Sequence, residues 1–238
     1  MRTRVVLVHG SRLSSAQWAP QLPLLEPHVD VALVDLPGHG SRASEQFTLA
    51  RCVEVIDEAV HGGEPGAPVV LVGHSLGGYA AMAYAAERGD ALSGLVLAGC
   101  STTPTGPGAA IYRRVAALTD RLGPERMTRV NDRVLRRLYP RERIEPVIAG
   151  GYWFDPTAAA WAEVMRHCRP SMLASVACPV LILNGQYDQF RLGTKDFLRA
   201  CPRARVRIIP KATHLACLDR PEAFAKAVLD FVDSVERG

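Results

Sequence analysis

A chain of 238 residues that is 48% hydrophobic and 22% charged has the size and balance of one folded domain, or one domain carrying an insertion, and excludes a disordered chain. The net charge of +4 comes with no basic stripe interleaved with stacking aromatics and no reader motif, which argues against a nucleic-acid partner. Six scattered cysteines (Cys52, Cys100, Cys168, Cys178, Cys201 and Cys217) show no metal-ligand spacing, so they read as reduced thiols and no metal is expected.

Only four apolar residues, Val5 to Val8, precede His9-Gly10. That is short of the roughly seven a secretory core needs, and no run approaches the ~18 apolar residues of a membrane span. A cytoplasmic location without a membrane partner is expected.

In chain order, Val5 to Val8 reads as a strand buried on both faces, ended by His9-Gly10-Ser11. Val31 to Val34 is the second strand, followed by the Gly- and Pro-dense loop Asp35-Leu36-Pro37-Gly38-His39-Gly40-Ser41. Leu49, Val53, Ile56 and Val60 have helical spacing and lead to a third strand over Val69 to Val72. That strand runs into Gly73-His74-Ser75-Leu76-Gly77 and then a helical Tyr79-Ala80-Ala81-Met82. A serine between glycines at a strand-to-helix turn is a nucleophile elbow: small flanking residues permit a strained turn that lifts the hydroxyl clear of the sheet.

Leu92 to Ala98, Val180 to Leu183 and Val206 to Ile209 are the remaining strands, and Pro221 to Val235 is a closing helix. The alternation predicts an α/β fold, a sheet of about six mostly parallel strands with helices on both faces. Residues 1–100 and 176–238 form its core domain. Residues 101–175 are the interruption, a helical cap or lid. Within it Ile111, Val115, Leu118 and Leu122 mark one helix, Val130, Val134, Leu135 and Leu138 another, and shorter pieces follow near 143–149 and 157–168. Its 12 arginines and 7 carboxylates leave it at +5 against −1 for the rest of the chain.

A serine hydroxyl needs a general base and an acid that orients the base. Of seven histidines, His214 follows the last strand on a loop at the correct edge. His28, His61 and His167 have no motif around them, His9 and His39 suit bracing of the glycine loops, and the His74 side chain is expected to point away from Ser75. Elbow order is serine, acid, histidine, and Asp188 ends the stretch Val180 to Tyr187, whereas Gly99-Cys100-Ser101-Thr102 after the preceding strand offers no carboxylate. The oxyanion needs two backbone amides, for which Leu76 and Ser11 are the candidates.

In these features the chain resembles the α/β-hydrolase fold family. His9-Gly10, Asp35 to Ser41, the elbow, Gly185-Gln186-Tyr187-Asp188, and His214 with the later Arg220-Pro221-Glu222 match the family in order and spacing over the whole chain. The resemblance implies a triad of Ser75, His214 and Asp188, oxyanion amides from Ser11 and Leu76, no cofactor, and a helical cap that selects substrate. The chain starts at what that family counts as its third strand, as in the plant methylesterase and hydroxynitrile lyase branch. Those lyases carry a threonine in place of Gly10 and a lysine in place of Leu215, which argues against cyanide handling, and Ser75 excludes the aspartate-nucleophile chemistry of epoxide hydrolases and haloalkane dehalogenases.

The expected function is cleavage of an ester, lactone or thioester of a small, largely apolar metabolite through an acyl-enzyme. Two alternatives stand beside it: an elimination or lyase enzyme using His214 as base, and a small-molecule receptor with a vestigial triad. The only partner expected is the small-molecule substrate, bound by a monomer or homodimer. Candidate pocket residues are Gly10, His74, Tyr139, Trp153, Phe154, Trp161, Arg191 and Leu215, and of the cationic side chains that could meet an anionic group (Arg113, Arg114, Arg136, Arg137 and Arg191), Arg191 lies nearest to Asp188 in sequence.

Overall fold

A computed structural model of the protein describes residues 1–103 and 123–237. Six strands, β1 (Arg4–Val8), β2 (Asp30–Val34), β3 (Val69–His74), β4 (Gly94–Ala98), β5 (Val180–Gly185) and β6 (Ala204–Ile209), form one sheet in the order β2-β1-β3-β4-β5-β6. Every neighbouring pair is parallel.

The four inner strands are buried on both faces because their side chains alternate between two cores. Val6, Val8, Leu71, Leu97 and Ile182 point into one, and Val5, Leu7, Val70, Val72 and Leu183 into the other. Each such side chain contributes about 1.5–3 kcal/mol by leaving water, which explains why these segments read as unbroken apolar runs.

Helices α1 (Leu49–His61), α2 (Leu76–Arg88), α3 (Pro124–Leu138), α4 (Arg141–Ala149), α5 (Thr157–His167), α6 (Thr194–Ala200) and α7 (Pro221–Glu236) surround the sheet. Helix α1 starts where the Thr48 hydroxyl accepts the Arg51 amide at 3.1 Å. Helix α3 starts with Pro124 at its first position, where a missing N–H costs nothing. The apolar sides of α1, α2, α5 and α6 close the first core, and Ile144 and Val147 of α4 with Phe224 and Val228 of α7 close the second. Helices α4 and α5, between β4 and β5, thus bury apolar residues in the two cores of the sheet, whereas α3 leaves Val130, Val134 and Leu138 exposed. The helix expected over Ile111 to Leu122, with Arg113 and Arg114, lies outside the described residues.

The strand order reverses direction between β2-β1 and β3-β4, so the chain leaves β1 and β3 at adjacent positions and their connections diverge to opposite sides. In a parallel sheet this switch point, at the carboxyl ends of the strands, is where a crevice opens. Val8 pairs in register with Gly73, Gly73 with Leu97, and Gly185 with Ile209. That register brings the loops carrying Gly10, Ser75, Asp188 and His214 to one edge.

Candidate active site

Ser75 sits between β3 and α2 with φ 53° and ψ −115°, a region that costs a non-glycine residue about 1–3 kcal/mol. The turn is held from several sides. The Ser75 amide donates to the Ala98 carbonyl at 2.8 Å, and its own carbonyl accepts the Gly78 and Tyr79 amides. Position 77 must be glycine because any Cβ there would run into the carbonyl oxygens of His9 and Val8. The close approach of α2 to the end of β1 is what aims the hydroxyl outward.

His214 lies on the loop after β6, and its Nε2 is 3.0 Å from Ser75 Oγ. Its Nδ1 is 3.1 and 3.2 Å from the two carboxylate oxygens of Asp188. An Nδ1–H donated to Asp188 leaves Nε2 as the acceptor for the serine proton. Asp188 is buried, which by itself raises a carboxyl pKa; the hydrogen bond from His214 and the Phe190 amide at 2.8 Å outweigh that, so the group stays below its ordinary value and ionised.

Two rings fix the imidazole. Phe190 stacks on His214 with centroids 4.4 Å apart and planes at 24°. The His74 ring, 4.9 Å away, uses Nε2–H to donate to the His214 carbonyl at 2.9 Å. His74 therefore lies against the base, where the loop backbone supplies the acceptor that its buried ring needs. Burial, then the proximity of His214, push its pKa down to about 3, so it stays neutral.

The loop after β1 is braced in the same manner. His9 donates from Nδ1 to the Gly10 carbonyl at 2.8 Å and accepts the Leu36 amide on Nε2 at 3.0 Å; burial lowers its pKa to about 3. His39 donates to the Pro37 carbonyl at 3.0 Å. Asp35 accepts the Ser15 amide on one oxygen and the Ser41 amide on the other, tying the two glycine loops together. The Gly10 amide donates to the buried side chain of Gln17 at 2.8 Å, and Gln17 Nε2 reaches Cys217 Sγ at 3.5 Å. A Cβ at Gly10 would stand 2.8 Å from His74 Nδ1. Nothing periodic in the sequence marks Gln17 or Phe190. His28, His61 and His167 are exposed and the six cysteines are free and buried.

A largely apolar cavity of about 420 Å³ opens at Ser75 and His214, with Ser11, Arg12 and Thr102 in its wall. Gly10, His74, Trp161 and Leu215 line it. Four other expected residues do not. Tyr139 is buried in the second core with its hydroxyl donated to Asp219 at 2.8 Å, the partner that lets a phenol stay dry. Trp153 and Phe154 face a separate cavity beside Gly38 and Phe47, with the Trp153 amide bonded to the Arg12 carbonyl at 2.9 Å. Arg191 is exposed: the tight turn Gln189–Gly193 directs Phe190 inward and Arg191 to solvent. Arg136 also lies outward, shared between Glu145 and Asp132.

Among the described residues no helix is long and apolar enough to cross a membrane. The chain is similar over 98% of its length to the thermophilic esterase of Thermogutta terrifontis, at 28% identity and a TM-score of 0.76 with 90% of that chain covered. It is 25% identical, over 96% of its length and 83% of the relative's, to 2-hydroxy-6-oxo-6-(2'-aminophenyl)hexa-2,4-dienoic acid hydrolase of Metapseudomonas resinovorans. A shorter stretch of 93 residues, 39% of this chain and 34% of the relative, is 37% identical to the pimeloyl-acyl-carrier-protein methyl ester esterase of Xylella fastidiosa. Residues 5–227 match the alpha/beta hydrolase family, and with this sheet, this elbow and these relatives the chain is a member of that family, whose matched members include hydrolases and esterases.

Proposed function

We propose that the protein is a cofactor-independent serine hydrolase that cleaves an ester, lactone or thioester of a small metabolite. The observation that carries this reading is the unbroken line from Asp188 through both nitrogens of His214 to Ser75 Oγ, ending in an apolar cavity. The hydrolase and esterase names of the matched relatives support it.

Ser75 Oγ bonds to the substrate carbonyl carbon while its proton passes to His214 Nε2. The negative charge on the carbonyl oxygen is met by the Ser11 and Leu76 amides, neither of which donates to a protein acceptor among the described residues. The bond to the leaving group then breaks and its oxygen or sulfur takes the proton from Nε2. A water molecule gives a proton to Nε2 and attacks the acyl carbon, and the proton returns to Ser75 as the acid departs. Asp188 stays ionised throughout and stabilises the imidazolium. Thr157 and Trp161 of α5 are part of the cavity wall, which supports residues 101–175 as the lid that chooses substrate.

The test is turnover of p-nitrophenyl esters of graded chain length, with lactones and acyl thioesters, by wild type and Ser75→Ala. A loss of about 10⁴-fold or more in kcat, together with an acyl adduct on Ser75 seen by mass spectrometry, is expected. Turnover that survives in Ser75→Ala with release of an alkene and an intact acid would instead assign elimination by His214.

A further inference from the structure

The Ser11 amide, one of the two that meet the oxyanion in the proposed mechanism, follows a glycine whose Cβ, if it had one, would stand 2.8 Å from His74 Nδ1. Glycine fits that space but leaves the peptide beyond it free to turn. An oxyanion donor is effective only when its direction is set before the reaction begins. The direction must therefore come from the partners of Gly10.

Those partners hold it from both sides. The Gly10 carbonyl shares its planar peptide with the Ser11 N–H, and His9 Nδ1–H donates to that carbonyl at 2.8 Å. The Gly10 N–H donates to Gln17 Oε1 at 2.8 Å. Together the two bonds fix the peptides before and after the Gly10 Cα, and with them the direction of the Ser11 N–H.

Gln17 is fully buried, an environment in which glutamine is uncommon and an unpaired amide is costly. An apolar residue of the same length would serve packing alone. What glutamine adds is an oxygen for Gly10 and an N–H, and the N–H is used as well: Nε2 donates to Cys217 Sγ at 3.5 Å. Four residues on, the equally buried Gln21 donates from Nε2 to the Cys217 carbonyl at 2.7 Å. Burial pushes the Cys217 thiol up to about 12, so it stays an uncharged acceptor. Cys217 thus anchors the amide of Gln17 and leaves its oxygen aimed at Gly10.

We infer that Gln17 is a positioning residue for the reaction, holding Gly10 so that the Ser11 amide faces the oxyanion. The inference rests on the serine-hydrolase reading of Ser75. Gln17 is not part of the cavity wall, whereas Gly10 and Ser11 are, so it acts on the reacting carbonyl through them.

The experiment measures kcat, KM and the pH profile for p-nitrophenyl butyrate, and the Kd of butylboronic acid, in wild type, Gln17→Met and Gln17→Ala. A boronic acid bonded to Ser75 Oγ is tetrahedral and anionic, and one of its oxygens takes the place of the oxyanion. Methionine matches glutamine in length and offers no oxygen. Alanine leaves room for a water to accept from the Gly10 amide, which guards against a methionine variant that does not fold. In Gln17→Met kcat is expected to fall about 30-fold, less than the roughly 10² to 10³ of losing a donor outright, with KM within about threefold and the boronate Kd rising by about the factor that kcat loses. Gln17→Ala is expected to lose about 5-fold in kcat. The acid limb of the pH profile, which reports the base, is expected to stay in place.

A kcat within about twofold of wild type in the folded variants, a loss of kcat without weaker boronate binding, or a loss that comes with a displaced acid limb overturns the positioning role. Boronate binding needs no turnover, so a weaker Kd in Gln17→Met supports the role even if no ester is cleaved. A wild type that neither cleaves the ester nor binds the boronate ends the hydrolase reading and the positioning role together, and a wild type that does both while the variants match it ends the positioning role alone.

Discussion

Asp188 is buried and receives hydrogen bonds from His214 and the Phe190 amide, whereas Arg136 on α3 is exposed and divides its guanidinium between Glu145 and Asp132. The two represent two ways of holding a structure. At the carboxyl edge of the sheet, the buried side chains of His9, Gln17, His74 and Asp188 each bridge a loop to another segment. Removing one partner there leaves an unpaired buried group. On the outer side of α3 the partners are charged, solvated and replaceable by water. The difference predicts that perturbations of equal chemical size have very unequal effects in the two regions.

The largest effect is expected at the buried pair. Asp188→Asn keeps the shape of the side chain but offers an amide where the His214 Nδ1–H needs an acceptor, favouring the wrong tautomer. A loss in kcat of about 10⁴-fold is expected, with KM changed far less. Measured turnover of p-nitrophenyl butyrate within tenfold of wild type would mean that His214 is held by Phe190 and His74 alone.

A second test uses protons. Burial keeps His9 and His74 neutral, with pKa lowered from 6.5 to about 3 in each. The unfolded chain takes up these protons near pH 6.5 while the folded chain refuses them until about pH 3. Stability contributed by each neutral ring is thus full above pH 6.5 and lost progressively as pH falls, at about 1.4 kcal/mol per pH unit per group. Asp188, whose carboxyl is depressed, adds its own loss only below the ordinary carboxylate range. Urea titrations from pH 7 to pH 4.5 should show this acid lability. In His74→Gln, which retains an N–H for the His214 carbonyl, the slope should fall by one proton. An identical slope would remove His74 from the buried neutral set.

What could be read from the residues follows the same division. Val5 to Val8 and Val69 to Val72 were legible because a strand buried on both faces leaves an unbroken apolar run, and the order of Ser75 and Asp188 was legible because each follows such a run, while His214 follows the shorter signal of Val206 to Ile209. The first residues of β6 were not: on this edge strand Arg205 is exposed and Arg207 is half-buried and paired with Asp230, so only Val206 to Ile209 carried a strand signal. Gln17 and Phe190 act through loop conformations that have no period. Tyr139, Trp153 and Phe154 were expected in the pocket on aromatic character alone, a property that serves a core equally well. Within residues 101–175, Ile144 and Trp161 enter opposite cores of the sheet, and the sequence could not reveal which face each helix would join.

The smallest effect is expected at Arg136→Ala. Arg136 Nε and Nη2 meet the two Glu145 oxygens at 2.9 and 3.0 Å, a bidentate geometry that in a buried site would be costly to break. Here both side chains are substantially exposed, at 38% and 41%, so water screens the attraction and solvates either partner when the other is removed. Exposed pairs of this kind are worth about 0–1 kcal/mol, and the i,i+4 contact with Asp132 adds a few tenths at most. The variant should unfold in urea within about 1 kcal/mol of wild type, approach it further as salt is raised to about 1 M, and keep wild-type kcat on every ester tested. A large loss of activity with stability intact would move this arginine from the solvated surface of α3 into the reaction, and would mean that the outer face of the helix takes part in substrate choice alongside the cavity wall.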